Sequence, residues 1–203
     1  YSYSVYDYAS KILAEPESSE YKSSAPLIKA MLNYGGYAQT YFNEKTDALA
    51  NKGLYNKTND PVLTTNTTVS KDYNYAVFNN NIGVSFIGGS LVLNSGTDLK
   101  LYYSINDQNM ANNINVSVNG QNVAPEYDGN IMCVRVPDIS ISSLGDTYNV
   151  KISVNGKEVN QKYSAMTYMY KALNSQNSNT KLNNVVKALY LYNEAAKQYS
   201  MGN

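Results

Sequence analysis

Two stretches of this chain, 158 residues apart, carry one pattern. Leu27, Met31, Tyr34, Ala38 and Tyr41 follow one another at alternating intervals of four and three residues, as do Val185, Leu189, Tyr192, Ala196 and Tyr199. That spacing lays each set along one helical stripe. Identities fall at Lys29/Lys187, Ala30/Ala188, Tyr34/Tyr192, Ala38/Ala196 and Tyr41/Tyr199. Just upstream, Tyr8/Tyr168, Lys11/Lys171 and Leu13/Leu173 match at an offset of 160, so the repeat extends to a whole helical hairpin. Stripes of Leu, Val, Tyr and Ala need burial, and the small Ala lets helices approach closely. The simplest burial sets one hairpin against the other.

Local signals agree. Ser4-Val5-Tyr6-Asp7 has the form of a capping box, Tyr8, Ile12 and Leu13 follow on one face, and Pro16 stops the helix. Ser23 or Ser24 with Pro26 starts the second helix. Gly35-Gly36 inside it costs about 1 kcal/mol each relative to Ala, which predicts close backbone contact or a kink there. A short helix is expected from Thr46 to Gly53. In the second copy, Ser164 caps one helix and Thr180 starts the other.

Between the hairpins the period falls to two. Leu99, Leu101, Tyr103 and Ile105 alternate with Lys100, Tyr102 and Ser104; Tyr148, Val150, Ile152 and Val154 alternate with Asn149, Lys151 and Ser153. Each should be a strand with one buried and one polar face. Leu91-Val92-Leu93 and Met132-Cys133-Val134-Arg135-Val136 are apolar on both faces and predict central strands, with Gly88-Gly89 joining two strands. Asn119-Gly120 and Asn155-Gly156, between β-rich flanks, predict type I′ hairpin turns. The fold expected is α+β: an antiparallel β-sandwich-like middle flanked by N- and C-terminal helical hairpins that pack together. Residues 1–56 form the first hairpin, 70–163 the β-rich region and 164–203 the second hairpin, the helical parts making one subdomain.

Composition narrows the chemistry. The chain has no His, which removes Ser-His-Asp and Cys-His catalysis and most zinc sites. Sixteen basic and sixteen acidic residues cancel, and Arg135 is the only Arg, so the basic footprint of a nucleic-acid binder is missing. No apolar run approaches the roughly 20 residues that span a bilayer, so no direct membrane insertion is expected. Cys133, the only cysteine, lies in the apolar run Ile131–Val134 and reads as an inert core thiol. Asn106-Asp107-Gln108-Asn109 through Asn113 offers oxygens to calcium but reads as a solvated hairpin loop. No metal or cofactor is expected.

Two site readings remain. Glu126 and Asp128 flank Tyr127 before Gly129, and paired carboxylates can hydrolyse a glycosidic bond without His. Sequence neighbours at a turn are a poor version of such a pair. A glycan-binding surface suits a chain with 21 Tyr in which about one residue in seven is Asn. Its candidates are Tyr102 between Lys100 and Ser104, and Tyr127 beside Asp128 and Asn130. The lack of Trp, the broadest stacking face, weighs against it.

The run Leu27 to Asn43, LIKAMLNYGGYAQTYFN, resembles a module of large secreted and cell-surface proteins from Gram-positive gut anaerobes. Gly89–Leu93, Tyr163–Tyr168 and Val185–Asn193 are similar to the same module, in the same order along most of the chain. The resemblance implies an extracellular or cell-surface location within a larger protein, and implies no activity. The expectation is a non-catalytic structural or adhesion module whose partner is a glycan or a host or cell-surface protein. A carbohydrate-binding module is the alternative, and a glycoside hydrolase the remote one.

Overall fold

The computed structural model describes residues 5–44, 67–78, 82–93, 96–176 and 179–202. The chain divides into two compact units, one made of Tyr1–Val69 with Ala172–Asn203 and the other of Ser70–Lys171. The helix expected over 46–53 and the capping residue Ser4 lie outside the described residues.

The first unit is helical. Helix α1 (Val5–Ala14) turns through a compact bend into α2 (Ala25–Tyr41). Ile12, Tyr21 and Ala25 are buried together, with Ile28 packed on them, so α1 closes on the start of α2. Tyr8, expected beside Ile12, is instead 56% exposed. Ser24 stands at the N-cap without a capping bond; its hydroxyl donates to the Tyr21 carbonyl, and Pro26 occupies the first turn. From the other end of the chain, α4 (Thr180–Ser200) joins the same unit, with Asn179 accepting from the Leu182 N–H as its cap.

Helices α2 and α4 run antiparallel. Tyr34 stacks on Tyr192 at 5.8 Å between ring centroids, and Lys181 donates to the Asn43 side-chain oxygen at the opposite end from Pro26 and Gln198, which share a cavity. The two repeated stripes therefore meet, as their spacing predicts. They do so incompletely, because Leu27, Met31, Tyr34 and Tyr41 are half-buried and Tyr199 is 48% exposed. In the antiparallel register Tyr199 falls opposite the first turn of α2, where little facing helix remains. Gly35 and Gly36 do not mark a close approach, since a Cβ at either would have no neighbour within 4 Å.

The second unit is an antiparallel β-sandwich. Its strands are β1 (Val84–Leu93), β2 (Thr97–Ile105), β3 (Ile114–Val118), β4 (Gln121–Val123), β5 (Glu126–Asp128), β6 (Ile131–Ile139), β7 (Tyr148–Val154) and β8 (Lys157–Tyr163). One sheet has the order β1-β2-β6-β5 and the other β4-β3-β7-β8. Helix α3 (Ala165–Leu173) follows β8, and Ser164 and Thr167 cap it reciprocally through hydroxyl and N–H.

Alternation built these strands as expected. Leu99, Leu101 and Tyr103 are fully buried on β2, and Val150, Ile152 and Val154 on β7. Each such aliphatic side chain contributes about 1.5–3 kcal/mol when taken out of water. The sheets meet through aromatic rings: Phe86 of β1 lies 5.5 Å from Tyr163 of β8. Asn119 and Gly120 (φ 51° and 83°) and Asn155 and Gly156 (φ 49° and 78°) form the two type I′ turns.

Three expectations are corrected. Leu91-Val92-Leu93 ends β1, an edge strand, and its three residues are only half-buried. Gly88-Gly89 does not join two strands; the pair sits inside β1, beside a register shift between Phe86 and Gly88. The segment after Asn106 is no hairpin loop, because β2 and β3 belong to different sheets. It is a 3-10 stretch, Gln108–Asn113, capped by the Asp107 carboxylate, which accepts from the Asn109 N–H.

Candidate functional site

Strand register decides which side chains share a surface. On the first sheet the buried face belongs to Leu99, Leu101 and Tyr103, and the opposite face to Asp98, Lys100, Tyr102 and Ser104. Cross-strand pairing extends that polar face into rows. Lys100 lies between Ser90 and Arg135, Tyr102 pairs with Cys133 and through it Glu126, and Ser104 pairs with Ile131 and through it Asp128. Neighbouring strands stand about 4.8 Å apart, so both signs of charge surround one phenol ring.

Two contacts of the grid are fixed by hydrogen bonds. Ser90 Oγ donates to the Tyr102 hydroxyl at 3.3 Å, which tethers the ring. Asp98 accepts from Arg135 Nε at 2.9 Å and Nη2 at 2.5 Å, and from the Asp138 N–H at 2.9 Å. The Asp138 N–H, and then the guanidinium, hold the Asp98 carboxyl below the ordinary carboxylate range. Arg135 leaves its side chain 47% exposed while Asp98 is buried, so the cation is the half of the pair a partner can touch. Cys133 sits beneath these charges; burial pushes its thiol up, which keeps it protonated and unreactive.

The residues singled out by sequence separate on this frame. Tyr102 and Asp128 share the polar face, two strands apart. Tyr127 pairs with Met132 and therefore points to the other side of the sheet, 39% exposed, with burial pushing its phenol up. Asn130 is exposed in the turn after Gly129, and its carbonyl accepts from the Ile105 N–H at 2.8 Å. The two candidate rings, Tyr102 and Tyr127, therefore lie on opposite faces of the sheet.

Ser90 and Arg135, which the sequence does not tie to a site, complete the surface together with Lys100 and Glu126. Their signal lay in register, since residues of like parity on paired strands share a face, but register itself is not legible without the pairing. The second sheet's polar face is different. It carries Asn122, Ser117, Lys151 and Asn160 in one row and Asn115, Ser153 and Glu158 in the next, with Lys151 bridging Glu158 at 3.2 Å. No aromatic ring lies in these rows.

Glu126 and Asp128 point the same way from one exposed strand, about 7 Å apart by strand geometry. Glycoside hydrolysis needs carboxyl groups on opposite sides of a bound sugar, in a site that encloses it; two parallel groups on an open strand do not flank anything. No group of three or more Cys, Asp or Glu side chains among the described residues could hold a metal ion. No helix among them is long and apolar enough to cross a membrane. No protein family, curated protein or solved structure matches the chain.

Proposed function

We propose that this chain is a non-catalytic interaction module of an extracellular or cell-surface protein, and that its first β-sheet receives the partner. The observation that carries the reading is the mixed-charge grid around Tyr102, with Lys100, Arg135, Glu126 and Asp128 fixed on three adjoining strands. A tethered aromatic ring among charges of both signs suits a protein surface, where Tyr and Arg supply much of the binding energy. Exposed Ile87 and Ile131 add apolar contact on the same sheet. The sequence resemblance supports the extracellular setting.

Sugar binding is the second reading, favoured by Tyr102 and Asp128 on one face. The lone ring weakens it, because stacking sugars usually takes more than one aromatic platform. One experiment separates the two: the full chain, and its Tyr102→Ala and Glu126→Lys variants, are screened against glycan arrays and a panel of cell-surface proteins. The protein reading expects a protein ligand whose affinity falls at least tenfold in both variants. A glycan ligand lost only with Tyr102→Ala would establish the second reading. Binding insensitive to both substitutions would remove this face from consideration.

A further inference from the structure

The helical unit contains a cavity of about 280 Å³ between α2 and α4. Ala30, Ala188, Leu191 and Ala195 line it, with Lys29, Asn33 and Glu194 among its polar residues. Its volume falls just short of the roughly 300–1,000 Å³ of pockets that hold whole ligands, and fits a single inserted ring.

Internal symmetry says what shape belongs there. Tyr34 and Tyr192 occupy equivalent positions of the repeat, and they touch each other across two antiparallel helices. A local two-fold axis therefore passes between them, as in an isologous dimer interface. The axis exchanges Ala30 with Ala188 and Asn33 with Leu191, all four of which line the cavity. Toward one end the cavity reaches Ala195, whose counterpart in the first copy is Tyr37. Tyr37 lies on the same helical stripe as Pro26, Ala30 and Asn33, and it is only 8% exposed. The first copy buries a phenol ring of its own where the second has a methyl group and a cavity.

We propose that this cavity is a docking pocket for one tyrosine side chain presented by another polypeptide. The small residues on α4 form its floor. Lys29 and Glu194 offer a donor and an acceptor to a phenol hydroxyl, which can serve as both. Glu194 is already oriented by Lys197 at 3.2 Å. The pocket belongs to the helical unit and does not depend on the sheet-face reading.

The test uses p-cresol, the tyrosine side chain as a free molecule, titrated into the full chain and followed by amide NMR shifts. Saturable shifts at Ala30, Ala188 and Ala195 are expected, with a dissociation constant on the order of 1 mM for so small a ligand. Toluene, which lacks the hydroxyl, should bind at least about threefold more weakly, roughly what one modest hydrogen bond supplies. Ala195→Tyr restores the arrangement of the first copy, and it should abolish the shifts while raising the melting temperature. Absence of saturation by about 10 mM p-cresol, shifts that persist in Ala195→Tyr, or a lowered melting temperature in that variant would each overturn the proposal. So would concentration-dependent dimerisation that shifts the same amides without p-cresol, because the pocket would then be a self-contact.

Discussion

A methyl group added at Gly89 would lie 2.9 Å from the Tyr163 hydroxyl and 3.0 Å from two ring carbons, inside the sandwich core. The Tyr163 ring is 1% exposed and has no open side to move toward. Gly89→Val is therefore expected to cost about 1–3 kcal/mol, the usual penalty of overpacking, measured by urea denaturation. Gly36 stands at the other extreme. It lies in mid-helix with open space where a Cβ would go, so Gly36→Ala should gain about 0.5–1 kcal/mol through helix propensity alone. If the two substitutions shifted stability in the same direction, the space around one of the two glycines would differ from that given by the surrounding atoms. Asp98 acts through charge. Its folded carboxyl titrates below the unfolded value near 3.9, so its contribution is complete above about pH 4 and is lost as pH falls through the folded pKa. Asp98→Asn should cost about 1.5–3 kcal/mol at pH 7, and the gap from wild type should narrow below about pH 4. A gap of constant size from pH 7 to pH 2 would show that the ionised carboxylate is not what stabilises.

Among elements, the α2–α4 pairing is where the repeat acquires a physical meaning. Burial, with Tyr192 close by, pushes the Tyr34 phenol up to about 12, so the stacked pair stays neutral at physiological pH. A double-mutant cycle on Tyr34→Ala and Tyr192→Ala is expected to give a coupling of about 0.5–1.5 kcal/mol, typical of a stacked aromatic pair. Additive losses would mean that the rings sit close without stabilising one another. The pairing itself was legible because two matching stripes at helical spacing can bury each other. The strands were legible for a similar reason: on β2 and β7 the alternation is unbroken, and Asn-Gly at both hairpins leaves the backbone one comfortable turn. What escaped was non-local. The segment 74–78 has no period, yet the Ala76 carbonyl accepts from buried Gln161 at 3.0 Å and Phe78 stacks on Tyr103 at 5.9 Å. Gly88-Gly89 resembles a loop in sequence because the ring that explains Gly89, Tyr163, lies far away in the chain. The grid around Tyr102 was hidden likewise. Lys100 and Arg135 become neighbours only through the β2–β6 register, which neither strand specifies alone. Tyr127 parts from Asp128 for the converse reason. Sequence adjacency grouped it with Asp128, and the strand turned the two to opposite faces.

At the scale of the whole molecule, the chain builds half of its helical unit, then the entire sandwich, then the rest of the helical unit. The two units should therefore differ in how they depend on chain continuity. Ser70–Lys171 is contiguous and about 100 residues long, enough to close a core of its own. Its sheets pair within it, the Phe86–Tyr163 contact joins them, and its first residue already caps a 3-10 turn through the Asp72 N–H. The helical unit has no such independence, because α2 finds its partner stripe only on α4, beyond the sandwich in sequence. A fragment spanning residues 70–173, which keeps α3 whole, is expected to melt cooperatively with a β-rich circular dichroism spectrum. A fragment of residues 1–69 should remain largely unfolded until one carrying 172–203 is added, since a short isolated helix with an uncovered apolar stripe is marginal in water. Calorimetry on the three fragments decides the matter. If residues 70–173 fail to fold while the two helical pieces assemble by themselves, the order of dependence is the reverse of the one argued from chain continuity.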